Sequence, residues 1–131
     1  MKKYSLLYIA FGLLVILWIL NFIALEFYFY WTVWWYDLMV HTLAGFSGGL
    51  AAFWFLRSFG TIRLFYLVIT AVMIVGTSYE VFEYIYQIIP PGNYWIDTFT
   101  DLLADGVGAL LACLYAMRVR IPESVSESPD D

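Results

Sequence analysis

The sequence predicts an all-α integral membrane protein, a bundle of four transmembrane helices. Hydrophobic residues make up 63% of its 131 positions and aromatic residues 21%, with a mean hydropathy of +0.80. A water-soluble chain of this length has too small an interior to hide that much apolar surface, so lipid must be its solvent. The apolar residues fall into four runs, each long enough to cross about 30 Å of hydrocarbon at about 1.5 Å per residue. All six basic residues, Lys2, Lys3, Arg57, Arg63, Arg118 and Arg120, lie at the ends of those runs or in the links between them.

The first run covers residues 4–28. It is too long and too aromatic for a signal peptide and has no small-residue cleavage site, so an uncleaved helix is expected. Tyr28, Tyr30, Trp31, Trp34 and Trp35 then mark a membrane–water interface. The second run, residues 33–56, ends at Arg57, and the short basic link to Arg63 carries the turn signal Gly60. A third run, residues 64–89, is stopped by Pro90-Pro91-Gly92-Asn93. Tyr94 and Trp95 open the fourth, residues 95–117, which ends before Arg118 and Arg120. Residues 1–121 therefore form one transmembrane domain, and the polar residues 122–131 read as a disordered tail. Four spans put both termini and the Arg57–Arg63 link on one side together with every basic residue. The positive-inside rule makes that side cytoplasmic and the membrane a plasma (inner) membrane.

A shift of 60 positions lays Trp35–Ala52 on Trp95–Ala112, with identities that include Trp35/Trp95, Asp37/Asp97, Gly48/Gly108 and Ala52/Ala112. Two repeated helical hairpins would produce this register, and so would chance in so biased a composition. In the duplicated arrangement the second and fourth spans face each other. Gly45, Gly48, Gly108 and Ala112 then let their backbones approach closely.

The acids are less expected. Seven of the eleven, Glu26, Asp37, Glu80, Glu83, Asp97, Asp101 and Asp105, lie in or beside the apolar runs, where no Lys or Arg accompanies them. Asp97, Asp101 and Asp105 fall within about 80° of one another on a helix, and Gly108 and Ala112 continue their stripe. Asp37 and His41 share a face at i, i+4, and Gly76, Glu80, Glu83 and Gln87 form a third stripe. Glu26 lies about 140° from Asn21, so the first span has no coherent polar face. Counted inward from Trp35, Trp95 and Pro90, these stripes occupy one layer in the outer half of the bilayer.

Insertion scales put a carboxylate near a helix centre at about 2.5–3.5 kcal/mol, so such a layer costs on the order of 10 kcal/mol unless something neutralises it. Protons would do so, and so would one multivalent cation shared by several carboxylates. A set of oxygen donors with one imidazole suits Mg²⁺, Mn²⁺, Ca²⁺ or non-haem iron better than zinc. The candidate ligands are Asp37, His41, Glu80, Glu83, Asp97, Asp101 and Asp105. Competing structural roles are an interior hydrogen-bonded histidine for His41, interhelical hydrogen bonds for Glu80 and Glu83, and helix-start positions for Asp37 and Asp97. Cys113 stands alone, which excludes an intrachain disulfide and a cysteine zinc site.

Asp37-x3-His41-x3-Gly45, Tyr79-Glu80-Val-Phe-Glu83 and Asp97-Thr-x2-Asp101-x3-Asp105-x2-Gly108-Ala109 resemble the YjdF-like family of small bacterial inner-membrane proteins. That family has no assigned function and implies no mechanism. More distantly, the pattern is similar to the VanZ-like family, which is associated with glycopeptide-antibiotic resistance and lipid-linked envelope processes. That resemblance implies work on envelope lipids.

Three function classes follow from the residues. A divalent-cation site could act on a lipid-linked or amphiphilic phosphate, the metal serving as Lewis acid. The carboxylates could exchange protons or cations in a transport or lipid-handling module. The acidic stripes could meet a partner helix, and so small a bundle suits a homo-oligomer or a partner subunit. Whether the chain is an enzyme is left open among these. No nucleotide-binding loop or Ser–His–Asp arrangement is present, and the basic residues are too few and scattered to bind nucleic acid.

Overall fold

In the computed structural model the described residues are 4–59, 61–87 and 92–125. Lys2, Lys3, Gly60, the Pro90-Pro91 breaker and tail residues 126–131, on all of which the sequence reading relied, lie outside them. Among the described residues five helices occur in the order α1 (Ser5–Glu26), α2 (Phe29–Thr32), α3 (Tyr36–Leu56), α4 (Thr61–Tyr86) and α5 (Tyr94–Val125). Four of them, α1, α3, α4 and α5, are long and apolar enough to cross a membrane. The protein is an all-α, four-span membrane protein.

The short α2 is an addition to the sequence reading. It folds the aromatic cluster after α1 into one turn, entered through Tyr28 at φ 58° and left through the extended Val33. α5 also runs beyond the expected end near residue 117, through Arg118 to Val125. Arg118 and Arg120 therefore lie within the element rather than at its end, as basic residues at a membrane boundary can.

The two helices at the centre are α3 and α5. α1 packs on α3, and α4 packs on both α3 and α5, whereas α1 and α4 make no extended contact with each other. Small residues set the central approach. A Cβ on Gly45 would overlap the backbone of Asp105, and one on Gly108 would overlap Thr42 O and Phe46 N. Gly49 likewise abuts Ala109 and Ala112. Gly48 faces elsewhere: a Cβ there would meet only Val72 Cγ2, at 3.8 Å. In lipid, where no hydrophobic drive joins helices, such backbone proximity supplies the van der Waals contact that holds them.

Below the polar layer the interior is apolar, built from Ala10, Leu50, Phe53, Leu64, Val68, Ala112, Cys113 and Ala116. Cys113 is buried there as a small packing residue. Ser47, fully buried, donates to Leu43 O at 2.7 Å, and Thr42 donates to Leu38 O at 2.8 Å, so both hydroxyls are satisfied within their own helix. At the Trp35 end, the Tyr36 hydroxyl donates to Leu20 O at 2.9 Å and Tyr30 donates to Asn21 Oδ1, fastening α1 to the turn and to α3.

Gly108→Val is expected to destabilise the bundle by more than the usual overpacking cost of about 1–3 kcal/mol, because backbone rather than a pliable side chain must move. Gly12→Ala, where nothing lies within 4 Å, should be neutral or stabilising by up to about 1 kcal/mol. Reversible unfolding in mixed detergent micelles measures both.

Candidate functional site

The polar stripes of α3, α4 and α5 converge at the end of the bundle that carries Trp35 and Trp95. His41 is the hub. Its Nδ1 lies 3.3 Å from Asp105 Oδ1 on α5, and its Nε2 lies 3.6 Å from Asp37 Oδ1 on its own helix and 3.8 Å from Glu80 Oε1 on α4. The ring meets Tyr79 edge-on, with centroids 5.9 Å apart. Exposure of His41, Glu80, Asp101 and Asp105 is 4%, 3%, 1% and 3%, so all four are withdrawn from both water and lipid.

The two sides of the imidazole differ. The Nδ1 contact is within hydrogen-bond range, whereas 3.6 and 3.8 Å at Nε2 are too long for one. Asp37, His41 and Asp101 each offer a donor atom, and the three atoms lie within 4.8 Å of one another. Glu80 Oε1 and Asp101 Oδ2 are buried with no hydrogen-bond partner among the described residues. Glu80 Oε2, by contrast, accepts from Thr98 Oγ1 at 2.7 Å. One oxygen of Glu80 is thus anchored to α5 while the other is left bare near His41.

The seven acidic and histidine candidates separate into groups. Asp37, His41 and Asp101 form the close trio, with Glu80 beside His41 and Asp105 behind its other nitrogen. Glu83 is half-buried, one turn on from Tyr79 on α4. Asp97 is half-buried in the first turn of α5, where a helix-start role remains sufficient. Glu26 is exposed at the end of α1, and Gln87 is exposed just past α4 at φ 54°, each apart from the cluster. Among the packing candidates, Gly45, Gly108 and Ala112 lie in the α3–α5 seam and Gly48 outside it.

Asp105 owes its position to two glycines. Its backbone lies against Gly45, and its carboxylate fills the space that a Cβ on Gly76 would take. Thr98 escaped the sequence reading although it precedes Asp101 by three residues on the same face of α5, which was signal enough. Tyr30 and Asn21 also escaped, because their pairing depends on the turn between α1 and α3. Burial pushes the Tyr30 phenol well above its ordinary pKa and keeps it a donor to Asn21.

A cavity of about 460 Å³ opens beside this cluster. Asn21, Tyr30, Asp37, His41, Tyr79 and Asp105 line one end of it, and the remainder is apolar.

A sequence profile for predicted membrane proteins, DUF2238, matches residues 2–121. The chain belongs to the DUF2238 family of predicted membrane proteins. The match spans all four transmembrane helices, and it agrees with the YjdF-like resemblance while lending no support to the VanZ-like one. Comparison with curated proteins and with solved structures found no match. Within a DUF2238 protein, then, the site must be interpreted from its own chemistry.

If two glycines hold Asp105 against His41, Gly76→Ala and Asp105→Asn should act on one interaction. Each is expected to destabilise the protein by about 1–3 kcal/mol. The double variant should fall short of their sum by 0.5 kcal/mol or more, read from a double-mutant cycle of unfolding free energies.

Proposed function

We propose that this protein holds one divalent cation among Asp37, His41, Asp101 and Glu80 and uses it on a lipid-linked or amphiphilic phosphate. The observation that carries this reading is the pair of bare buried oxygens, Glu80 Oε1 and Asp101 Oδ2, beside the Asp37–His41–Asp101 trio. A buried carboxylate oxygen without a donor is expensive, and a cation shared by several of them removes the expense at once. Asp105 then acts as a positioning residue. It accepts from Nδ1–H, fixes the tautomer, and leaves the Nε2 lone pair facing the bare oxygens, as the outer partner of a metal-bound histidine commonly does.

Three or more oxygens with one imidazole favour Mg²⁺, Mn²⁺, Ca²⁺ or ferrous iron over zinc. When bound, such an ion neutralises phosphoryl charge and acts as a Lewis acid. The remaining contributions belong to the chain. Thr98 holds the orientation of Glu80, while the helices exclude bulk water from the buried oxygens. Asp97 and Glu83, at the rim, are the acids free to exchange protons with solvent. By the positive-inside rule, the site lies in the outer half of a plasma membrane, with both termini cytoplasmic.

A second reading has its own observation. Both nitrogens of His41 face carboxylates, which an imidazolium would also satisfy. The cluster would then store and pass protons in a coupled transport or lipid-handling module.

Metal analysis after mild chelation separates these readings. About one equivalent of divalent metal is expected in the native protein and a large loss in Asp101→Asn. Added Mn²⁺ at a hundred times its Kd should stabilise the native protein by about 2.7 kcal/mol and the variant far less. Absence of metal in both, together with proton flux in proteoliposomes, would replace the first reading by the second.

A further inference from the structure

We infer that the cleft between α1 and α4 is a side entrance from the bilayer that seats the hydrocarbon tail of a phosphate-headed amphiphile, its head at the His41 end. The choice of head rests on the cation reading above; the chain slot rests on shape alone. α3 forms the floor of the cleft and α1 and α4 its two walls. Those walls make no extended contact with each other, and the cleft is partly open between them. Trp18 on one lip and Val75 on the other are 70% and 69% exposed, whereas Val72 inside is buried.

Its dimensions select the occupant. From Asp37 to Ala52 the cleft follows α3 for roughly 22 Å at about 1.5 Å per residue. All the empty space in it, open mouth included, is about 1250 Å³. The mean cross-section is therefore roughly 57 Å², whereas a helix 10–12 Å across with its side chains needs roughly 80–110 Å². A whole helix cannot enter such a section, whereas an extended apolar chain enters it with room to spare. The floor is kept low by small residues, Ala44, Gly48 and Ala52, and only the Asp37–His41 end is polar. The cleft thus runs from an apolar trough to Asp37 and His41, two of the four residues of the proposed cation site, which is the polarity of a lipid-like molecule.

Gly48 offers a clean probe. A Cβ there fits at 3.8 Å from Val72 Cγ2, so a longer side chain fills the trough without parting the helices. The experiment is photolabelling in phosphatidylcholine vesicles with a long-chain alkyl phosphate that carries a diazirine at its chain end, followed by mass-spectrometric mapping. Label is expected to concentrate on Leu14, Ala52 and Ala71, to fall at least five-fold in Gly48→Leu, and to be unchanged in Gly48→Ala. Label spread evenly over lipid-facing residues such as Phe55 and Ile74 in the native protein would overturn the inference without recourse to any variant. A protein that binds metal but labels evenly refutes the slot alone. One that lacks metal but labels the trough upholds the slot and refutes the cation reading.

Discussion

The close approach of α3 and α5 is the constraint from which the polar centre follows. Gly45 and Gly108 let two backbones touch where any side chain would separate them, and that contact carries Asp105 to the far side of His41. Gly76 on α4 completes the recess for the carboxylate. Lipid offers no hydrophobic reward for joining helices, so packing of this kind must hold the bundle while it confines several acids. The acids tend to loosen the bundle and the glycines tend to close it.

Neutralisation is the second half of the same balance. His41 is the one basic group among the buried residues of the cluster, and it faces Asp37, Glu80 and Asp105. Thr98 satisfies one oxygen of Glu80, yet Glu80 Oε1 and Asp101 Oδ2 have no donor. A protein that merely tolerated these groups would gain by replacing them with apolar residues of similar size. The cleft ties the electrostatics to the shape through their neighbours: Asp37, His41 and Asp105 line its one polar end, with Glu80 beside His41 and outside the lining.

Much of this was legible in the residues alone. Length and hydropathy of the runs predicted the four spans, and the i, i+4 spacings of Asp37/His41 and Asp101/Asp105 placed each pair on one face. What periodicity could not supply was rotation about each helix axis. Gly48 reads as a seam residue by spacing, but a modest turn of α3 directs it at α4 and leaves Gly49 to meet α5. Nor could spacing distinguish the members of the acidic set, since Asp105 lies behind His41 while Asp101 lies in the trio. The turn at α2 was hidden for a different reason: an aromatic cluster signals an interface whatever the backbone does there.

The most direct test of the central claim is pulsed electron paramagnetic resonance on the Mn²⁺-loaded protein in lipid nanodiscs. The account predicts nuclear modulation from one directly bound imidazole nitrogen, abolished in His41→Gln. Modulation from water protons alone, identical in the two proteins, would contradict it.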